Sequence, residues 1–225
     1  MDSNTIVSGD FRGLPSLDEL ILTSNQISSL SESNFSELLS LKSLNLGYNK
    51  LTSLGAGILG ATFHHLTYLN IQSNHISSIH ASDFSGLTDL TYLNIGGNWL
   101  VSLDVGAFAS LSNLTGLTLS SNKIVSIESG DFAGLTSLTR LELFGNQISS
   151  VEAGDFSGLP NLTYLDFRLN QLSSIQYADF SGLPNLAQLY FSSNQIMFVD
   201  SGTFLADNGF SQLSYLDLAT NCFTL

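Results

Sequence analysis

The stretch LTRLELFGNQISSVEAGDFSGLPN, residues 138–161, contains one complete copy of the pattern that decides the fold. Leu138, Leu141 and Leu143 lead to Asn146 and Ile148 in the order L-x-x-L-x-L-x-x-N-x-I. Because Leu141 and Leu143 are two residues apart, we expect them to share one face of a short β-strand. We expect Asn146 to end that strand at a corner, where an amide side chain can bond backbone groups that no regular ladder serves.

The same pattern recurs along the whole chain. Its asparagine marker returns at steps of 24 or 25 residues, except for a last step of 27, at Asn25, Asn49, Asn74, Asn98, Asn122, Asn146, Asn170, Asn194 and Asn221. One such coil cannot bury its own apolar face, so copies must stack on each other. We therefore predict one solenoid domain over residues 1–225. It has a partial coil at 1–16, then repeats starting near 17, 41, 66, 90, 114, 138, 162, 186 and 213, the last incomplete.

A second marker follows the asparagines from Asn25 to Asn194 at wider spacing, and the partial first coil carries it as well. It is a phenylalanine at Phe11, Phe35, Phe84, Phe108, Phe132, Phe156, Phe180 and Phe204, and Leu59 takes its place in the second full repeat. Together the two markers resemble the leucine-rich repeat family, in the 24-residue form of its extracellular class. The resemblance implies a right-handed α/β solenoid with a concave parallel β-sheet, convex turns with short 3-10 helices, and a phenylalanine spine. It also implies an extracellular or cell-surface location, although the cysteine-rich caps usual in that class are absent from this sequence.

Composition limits the classes of partner. The 225 residues carry a formal net charge of −13 and only 6 Lys or Arg residues. Because phosphate neutralisation by Lys and Arg dominates nucleic-acid affinity, we predict no nucleic-acid partner. No apolar run approaches the roughly 20 residues of a membrane span, and Met1 is followed by polar residues, so neither membrane insertion nor a signal peptide is expected here. The single cysteine, Cys222, allows no disulfide within the chain.

An aspartate directly precedes several of the phenylalanine markers, at Asp10, Asp83, Asp131, Asp155 and Asp179. At this position Asp can cap a one-turn helix that runs through the F-x-G-L segment. A repeated calcium site is the alternative, but one aspartate per coil offers too few oxygen ligands. We therefore predict capping and no metal site.

The outward positions of the predicted strands supply the candidate binding residues. Tyr and Arg, the types enriched at binding hot spots, are concentrated there in the later repeats. The candidate ligand-binding set on the concave face is Arg140, Glu142, Phe144, Tyr164, Asp166, Arg168, Tyr190 and Tyr215, with Tyr68 and Tyr92 in earlier repeats. The alternative interpretation is structural, because Tyr suits a half-exposed strand. In that case the two arginines only neutralise Glu142 and Asp166, and Arg168 lies over Phe144.

Catalysis has little support in this pattern. Glu142 and Asp166 sit on lateral strand neighbours, where two carboxylates could approach the roughly 5 Å spacing of a retaining glycosidase. Nothing in the repeat supplies a pocket that would raise one pKa, and two neighbouring arginines would lower both. The sequence of residues 55–60 matches G-x-G-x-x-G, but no βαβ unit follows it, so a dinucleotide site fails on context. We predict no enzyme, no catalytic residue and no cofactor.

The two hypotheses that remain differ in which surface acts. The first is a recognition module that binds a protein or glycan on the concave sheet. The second is a structural or adhesive segment of a larger surface protein. Because a solenoid needs a polar terminal cover, we expect a second chain or further sequence to cover its C-terminal end, as in a homodimer through Leu216, Leu218, Phe223 and Leu225.

Overall fold

The computed structural model describes residue 11, residues 13–205 and residues 210–223. Nine three-residue strands, one per coil, form a single parallel sheet. They are β1 (Glu19–Ile21), β2 (Ser43–Asn45), β3 (Tyr68–Asn70), β4 (Tyr92–Asn94), β5 (Gly116–Thr118), β6 (Arg140–Glu142), β7 (Tyr164–Asp166), β9 (Gln188–Tyr190) and β11 (Tyr215–Asp217). Their order in the sheet follows the chain without a crossover, which confirms the predicted solenoid.

Four further elements lie on the segments that return from one strand to the next. Helix α1 spans Glu32–Phe35 and helix α2 spans Ile58–Thr62, in the repeat with the extra residue. Strands β8 (Ser174–Ile175) and β10 (Phe198–Val199) pair with each other in a small second sheet. Elsewhere the described return segments are mostly turns, so the two short helices are α-helices and the described residues include none of the expected 3-10 helices.

The strand register places equivalent leucines side by side. Leu141 pairs with Leu117 and Leu165 across the sheet, and Leu141 and Leu143 are both fully buried. Burying a Leu side chain contributes roughly 1.5–3 kcal/mol, and each coil buries several, so the stacking of coils supplies the core. The opening prediction about these two leucines is confirmed.

The phenylalanine spine is present in the described residues. Phe84 stacks on Phe108 at 5.9 Å between ring centroids, and Phe156 stacks on Phe132 at 6.0 Å and on Phe180 at 5.6 Å. Where Leu59 replaces the phenylalanine, it is buried as predicted, but the aromatic contact is made by another residue. Phe63, at the end of α2, brings its ring to 5.5 Å from Phe35.

The corner asparagines hold backbone groups together through their side-chain amides. Asn146 Nδ2 donates to the carbonyl oxygens of Leu143 in its own coil and Leu119 in the coil before, at 2.9 and 3.1 Å. Its Oδ1 accepts the backbone N–H of Ile124 at 3.1 Å. The same three-bond arrangement recurs at Asn74, Asn98, Asn170 and Asn194.

The aspartates before the phenylalanines hold turns together in a different way from the predicted cap. Asp131 Oδ2 accepts the N–H of Glu128, three residues earlier, at 2.9 Å. The same backward bond joins Asp155 to Glu152 at 2.8 Å. The prediction of a forward helix cap is therefore wrong, because the carboxylate closes the turn that precedes it and no helix follows. Asp10 lies outside the described residues.

Candidate functional site

The concave face consists of the outward-facing side chains of the nine-stranded sheet and of the residues just after each strand. On β6, β7, β9 and β11 it carries one continuous set of aromatic rings and guanidinium groups, the concave patch. The patch comprises Arg140, Glu142, Phe144, Tyr164, Asp166, Arg168, Tyr190 and Tyr215. The structure thus brings together eight of the ten predicted binding residues.

The tyrosines of the concave patch form a ladder across three neighbouring strands. Tyr164 and Tyr190 have ring centroids 5.0 Å apart, and Tyr190 and Tyr215 are 4.9 Å apart, all in tilted contact. The Tyr190 hydroxyl donates to Gln188 Oε1 at 3.2 Å. Tyr164 and Tyr215 both lie opposite Gln188 in the register, whereas Tyr190 lies opposite Asp166 and Asp217, so the Tyr190 ring contacts its two neighbours diagonally.

The arginines lie over these rings. The guanidinium carbon of Arg140 is 3.6 Å from the centroid of Tyr164, and that of Arg168 is 5.2 Å from Tyr190 and 5.6 Å from Phe144. Such cation–π contacts stabilise the exposed arrangement and hold the planar groups in place. The prediction that Arg168 lies over Phe144 is confirmed.

Each arginine also pairs with a carboxylate of its own coil. Arg140 Nε donates to Glu142 Oε1 at 2.7 Å, and Arg168 Nε donates to both oxygens of Asp166 at 2.9 and 3.0 Å. These hydrogen bonds with Asp166 raise the pKa of the Arg168 guanidinium. The two arginines of the concave patch are therefore balanced by two carboxylates, and its net charge is close to zero. What it presents to a ligand is a set of flat guanidinium and aromatic groups.

The alternation along β7 predicts that Asp166 is exposed, but the structure buries it. Its residue surface is only 2% exposed, because Arg168 and Tyr164 close over it and the Arg168 backbone N–H also donates to Oδ1 at 3.0 Å. Asp166 thus positions the residues above it and has little surface left for a ligand. Burial, with the charge of Asp166 second, raises the pKa of Tyr164, so its hydroxyl keeps its proton at neutral pH.

Tyr68 and Tyr92 form a separate pair. Their rings are parallel, 7° apart in orientation and 5.3 Å between centroids. The Tyr92 ring extends over Gly116, where a Cβ would lie 2.8 Å from the ring. The coil with Gly116 and Thr118 therefore separates this pair from the concave patch, and the ten predicted residues form two surfaces.

A catalytic role for Glu142 and Asp166 finds no support in this geometry. Each carboxylate is bound by an arginine, and Asp166 is buried beneath it. Within the described residues no group of three His, Cys, Asp or Glu side chains could hold a metal ion.

Sequence reasoning gave too little weight to one exposed aromatic cluster outside the concave face. Trp99, which follows the corner residue Asn98, stacks on His75 with ring centroids 4.4 Å apart. Lys123 Nζ lies 5.3 Å from the Trp99 ring. His75, Trp99 and Lys123 each directly follow the corner asparagine of three successive coils. The spacing of the asparagines therefore already indicates that they are neighbours.

Two comparisons with known proteins identify the architecture. The sequence profile of the family described as Leucine rich repeat matches residues 15–60, 41–100, 90–148 and 145–196. Two solved structures are similar over nearly the whole chain. The crystal structure of the TLR13–ssRNA13 complex has 33% identity and a TM-score of 0.88 over 94% of this chain. That of the mouse RP105/MD-1 complex has 26% identity and a TM-score of 0.82 over 93%.

These relatives are longer proteins. The match covers 30% of the TLR13 chain and 35% of the RP105 chain, so this chain spans about a third of either length. The comparison with curated proteins returned no match. Because one of the two similar structures is a complex with single-stranded RNA, this architecture does not itself exclude nucleic acid. Our exclusion of nucleic acid stays a prediction that rests on charge alone.

The two helices of the described residues, of four and five residues, are too short to cross a bilayer. The repeated profile matches, the register of the nine strands and the similarity to both solved structures agree on one conclusion. The chain belongs to the leucine-rich repeat family.

Proposed function

We propose that this chain is a non-enzymatic recognition module, and that the concave patch binds a protein or glycan ligand. The continuous ladder of Tyr164, Tyr190 and Tyr215 with two guanidinium groups lying over it carries this proposal. Tyrosine and arginine dominate binding hot spots because they offer large, rigid contact area with a polar end. The ion pairs below them hold these side chains in place before a ligand arrives, which reduces the ordering cost of binding.

The relatives support the recognition class without naming a ligand. The two similar structures are complexes, one with ssRNA13 and one with MD-1. An extracellular or cell-surface setting is part of the same proposal, by similarity to the extracellular class of repeats. The alternative is the structural or adhesive segment, self-associating through its C-terminal coil, where Leu216 and Leu218 are half-buried and Phe223 is 46% exposed. Leu225 lies outside the described residues.

Truncation of exposed anchors tests the concave patch. Arg168→Ala is a poor choice, because it would leave the buried Asp166 carboxylate without its partner. The double variant Arg140→Ala/Tyr190→Ala removes an exposed guanidinium and the central ring while leaving Asp166 and Arg168 paired. We expect it to fold and to lose about 2 kcal/mol or more of binding free energy, roughly 30-fold in Kd, as hot-spot truncations do.

The measurement is capture of extracellular and membrane-associated proteins and glycans by the immobilised chain, identified by mass spectrometry, with Kd then measured for the captured ligand. Ser120→Ala is the matched control, since it occupies the same outward column as Arg168 two coils away. Circular dichroism confirms that each variant is folded. If a specific ligand binds the double variant as tightly as the native chain, the concave patch is not the site. If no interaction of the chain depends on the patch, the structural alternative is favoured.

A further inference from the structure

A second surface follows the C-terminal ends of the strands, where each coil turns at its asparagine. We call it the asparagine edge, and define it as residues 24–29, 48–53, 73–78, 97–102, 121–126, 145–150, 169–174, 193–198 and 220–223. All of these residues are described by the structure. In all but the outermost coils, the asparagine and the Leu or Ile two residues later point inward. Most of the other residues of the edge are exposed.

The asparagine edge is set apart by its charge. None of the 19 Asp and Glu residues of the chain lies in it, although it includes about a fifth of the sequence. It holds two of the 6 Lys and Arg residues, Lys50 and Lys123, and also His75. A protein with a net charge of −13 therefore keeps one continuous surface free of carboxylates.

The two lysines and the histidine of this edge lie on either side of Trp99 along the stack of coils. Lys50, His75, Trp99 and Lys123 take the same position in four successive coils, and backbone bonds between coils fix their order, such as Trp99 N–H to Ile76 O at 2.9 Å. Trp99 is 47% exposed and Val101, two residues later, is 51% exposed. In the described residues neither lysine has a carboxylate within ion-pair distance, whereas Lys42, Arg140 and Arg168 each do.

We propose that the asparagine edge around Trp99 is a second binding surface, and that it takes a short acidic segment of a partner protein. The lysines lie three coils apart, about 15 Å, which roughly five residues of extended peptide would span. Carboxylates of that segment pair with Lys50 and Lys123, while an apolar side chain of the segment packs on Trp99 and Val101.

A long polyanion fits this surface less well than a short acidic segment. Exposed carboxylates at Asp104, Glu128 and Glu152 line the convex turns only a few residues beyond the edge. A nucleic acid that follows the coils would meet this repulsion along its length, since each phosphate carries a charge. A segment a few residues long stays within the part of the edge that has no acid.

The single tryptophan of the chain gives a direct readout, because Trp99 itself lies at the centre of the surface. We would titrate the intact chain with an oligoglutamate peptide of about eight residues that carries one leucine, long enough to span both lysines. We expect saturable change in Trp99 fluorescence at low ionic strength, reduced by added salt as screening requires. The double variant Lys50→Gln/Lys123→Gln should bind about tenfold more weakly.

Lys42→Gln is the matched control, because Lys42 is also exposed but lies at the opposite edge of the sheet, paired with Asp18 at 3.1 Å. Arg140→Ala/Tyr190→Ala should also bind the peptide normally, which separates this surface from the concave patch. No saturable signal with the native chain, or equal affinity in the double lysine variant, would overturn the proposal. Tighter binding of a single-stranded RNA oligonucleotide of matched charge would overturn the assignment of the partner as an acidic protein segment.

Discussion

Single side chains hold neighbouring coils together wherever the backbone changes direction. Asn146 is 6% exposed and connects three backbone groups in two neighbouring coils, two carbonyl oxygens and one N–H. Serine or glutamine cannot reproduce this set, since the first has a single donor and the second is longer by one carbon. The recurrence of asparagine at this position follows from that geometry.

Replacing Asn146 should therefore be costly although the residue is polar. In Asn146→Ala the Ile124 N–H loses its partner in a buried place, while the carbonyl oxygens of Leu119 and Leu143 each lose one of two donors and keep the bond from Asn122 or Asn170. We expect a loss of about 2 kcal/mol in the free energy of unfolding. Gln147→Ala, one residue later and exposed, is the control and should stay within about 0.5 kcal/mol of the native chain. Urea unfolding followed by circular dichroism measures both. Equal midpoints for the two variants would contradict this role of the asparagine.

Asp166 illustrates which part of a site the sequence pattern does not contain. Alternation along β7 places this residue on the outward side of the strand, and the backbone does so. Its burial arises only because Arg168 and Tyr164 select side-chain conformations that close over the carboxylate. Those conformations depend on rings in two neighbouring coils, so the local pattern predicts the column of a residue but not its exposure.

The same limit applies at the scale of elements. The period of two and the repeat of 24 residues correctly predict the nine strands and the burial of Leu141, because both follow from stacking one coil on the next. The role of Phe63 was not predictable, since the insertion in that coil shifts the aromatic residue out of its column. The pairing of β8 with β10 joins positions 24 residues apart, 174 with 198 and 175 with 199, so it keeps the repeat step. It was not predicted because the equivalent positions of the other described coils form no strand.

The convex turns pack backbone against backbone, which gives a prediction about glycine. Gly134 and Gly154 both have a positive φ, 90° and 99°, but their surroundings differ. A Cβ on Gly134 would lie 2.6 Å from the Ala109 carbonyl oxygen, whereas a Cβ on Gly154 would meet nothing within 4 Å. Gly154→Ala should cost about 1 kcal/mol for its backbone conformation alone. Gly134→Ala should cost a further 1–3 kcal/mol or so, because the Ala109 backbone must move.

Thermal and urea unfolding of the two glycine variants form a matched pair, in which the backbone strain is shared and only the contact differs. Similar losses for both would mean that adjacent convex turns can separate without cost. In that case the close approach of the coils on this side would contribute little to stability.

Across the whole molecule, charge is sorted by surface. Arginine and carboxylate are balanced in the concave patch, the asparagine edge is free of acid, and most of the excess negative charge lies on the convex turns and the opposite edge. Asp131, Asp155 and Asp179 are buried in successive convex turns and face other carboxylates there. Stacking the coils thus brings like charges together in the folded chain.

This arrangement determines how stability depends on pH. Burial, with repulsion from neighbouring carboxylates such as Glu128, raises the pKa of Asp131, and burial raises the pKa values of Asp155 and Asp179. A raised pKa means that the folded state favours the protonated form. Each such carboxyl group therefore stabilises the folded state fully when the pH is below its pKa in the unfolded chain. This stabilisation is lost as the pH rises through the pKa that the group has in the folded chain. The side-chain hydrogen bond with Asp104 raises the pKa of His80, so His80 also favours the folded state more strongly in acid.

We therefore expect the chain to be more stable at about pH 4, near the ordinary pKa of Asp, than at about pH 7.5, in contrast to proteins whose carboxylates are held by cations. Differential scanning calorimetry at the two pH values should give the higher Tm in acid, and the smaller net charge there acts in the same sense. Asp131→Asn removes one buried charge and should reduce the difference between the two Tm values. Asp89→Asn is the control, because it removes an exposed carboxylate in place of a buried one. A lower Tm in acid would show that the convex carboxylates are stabilised as anions, against the direction that their burial implies.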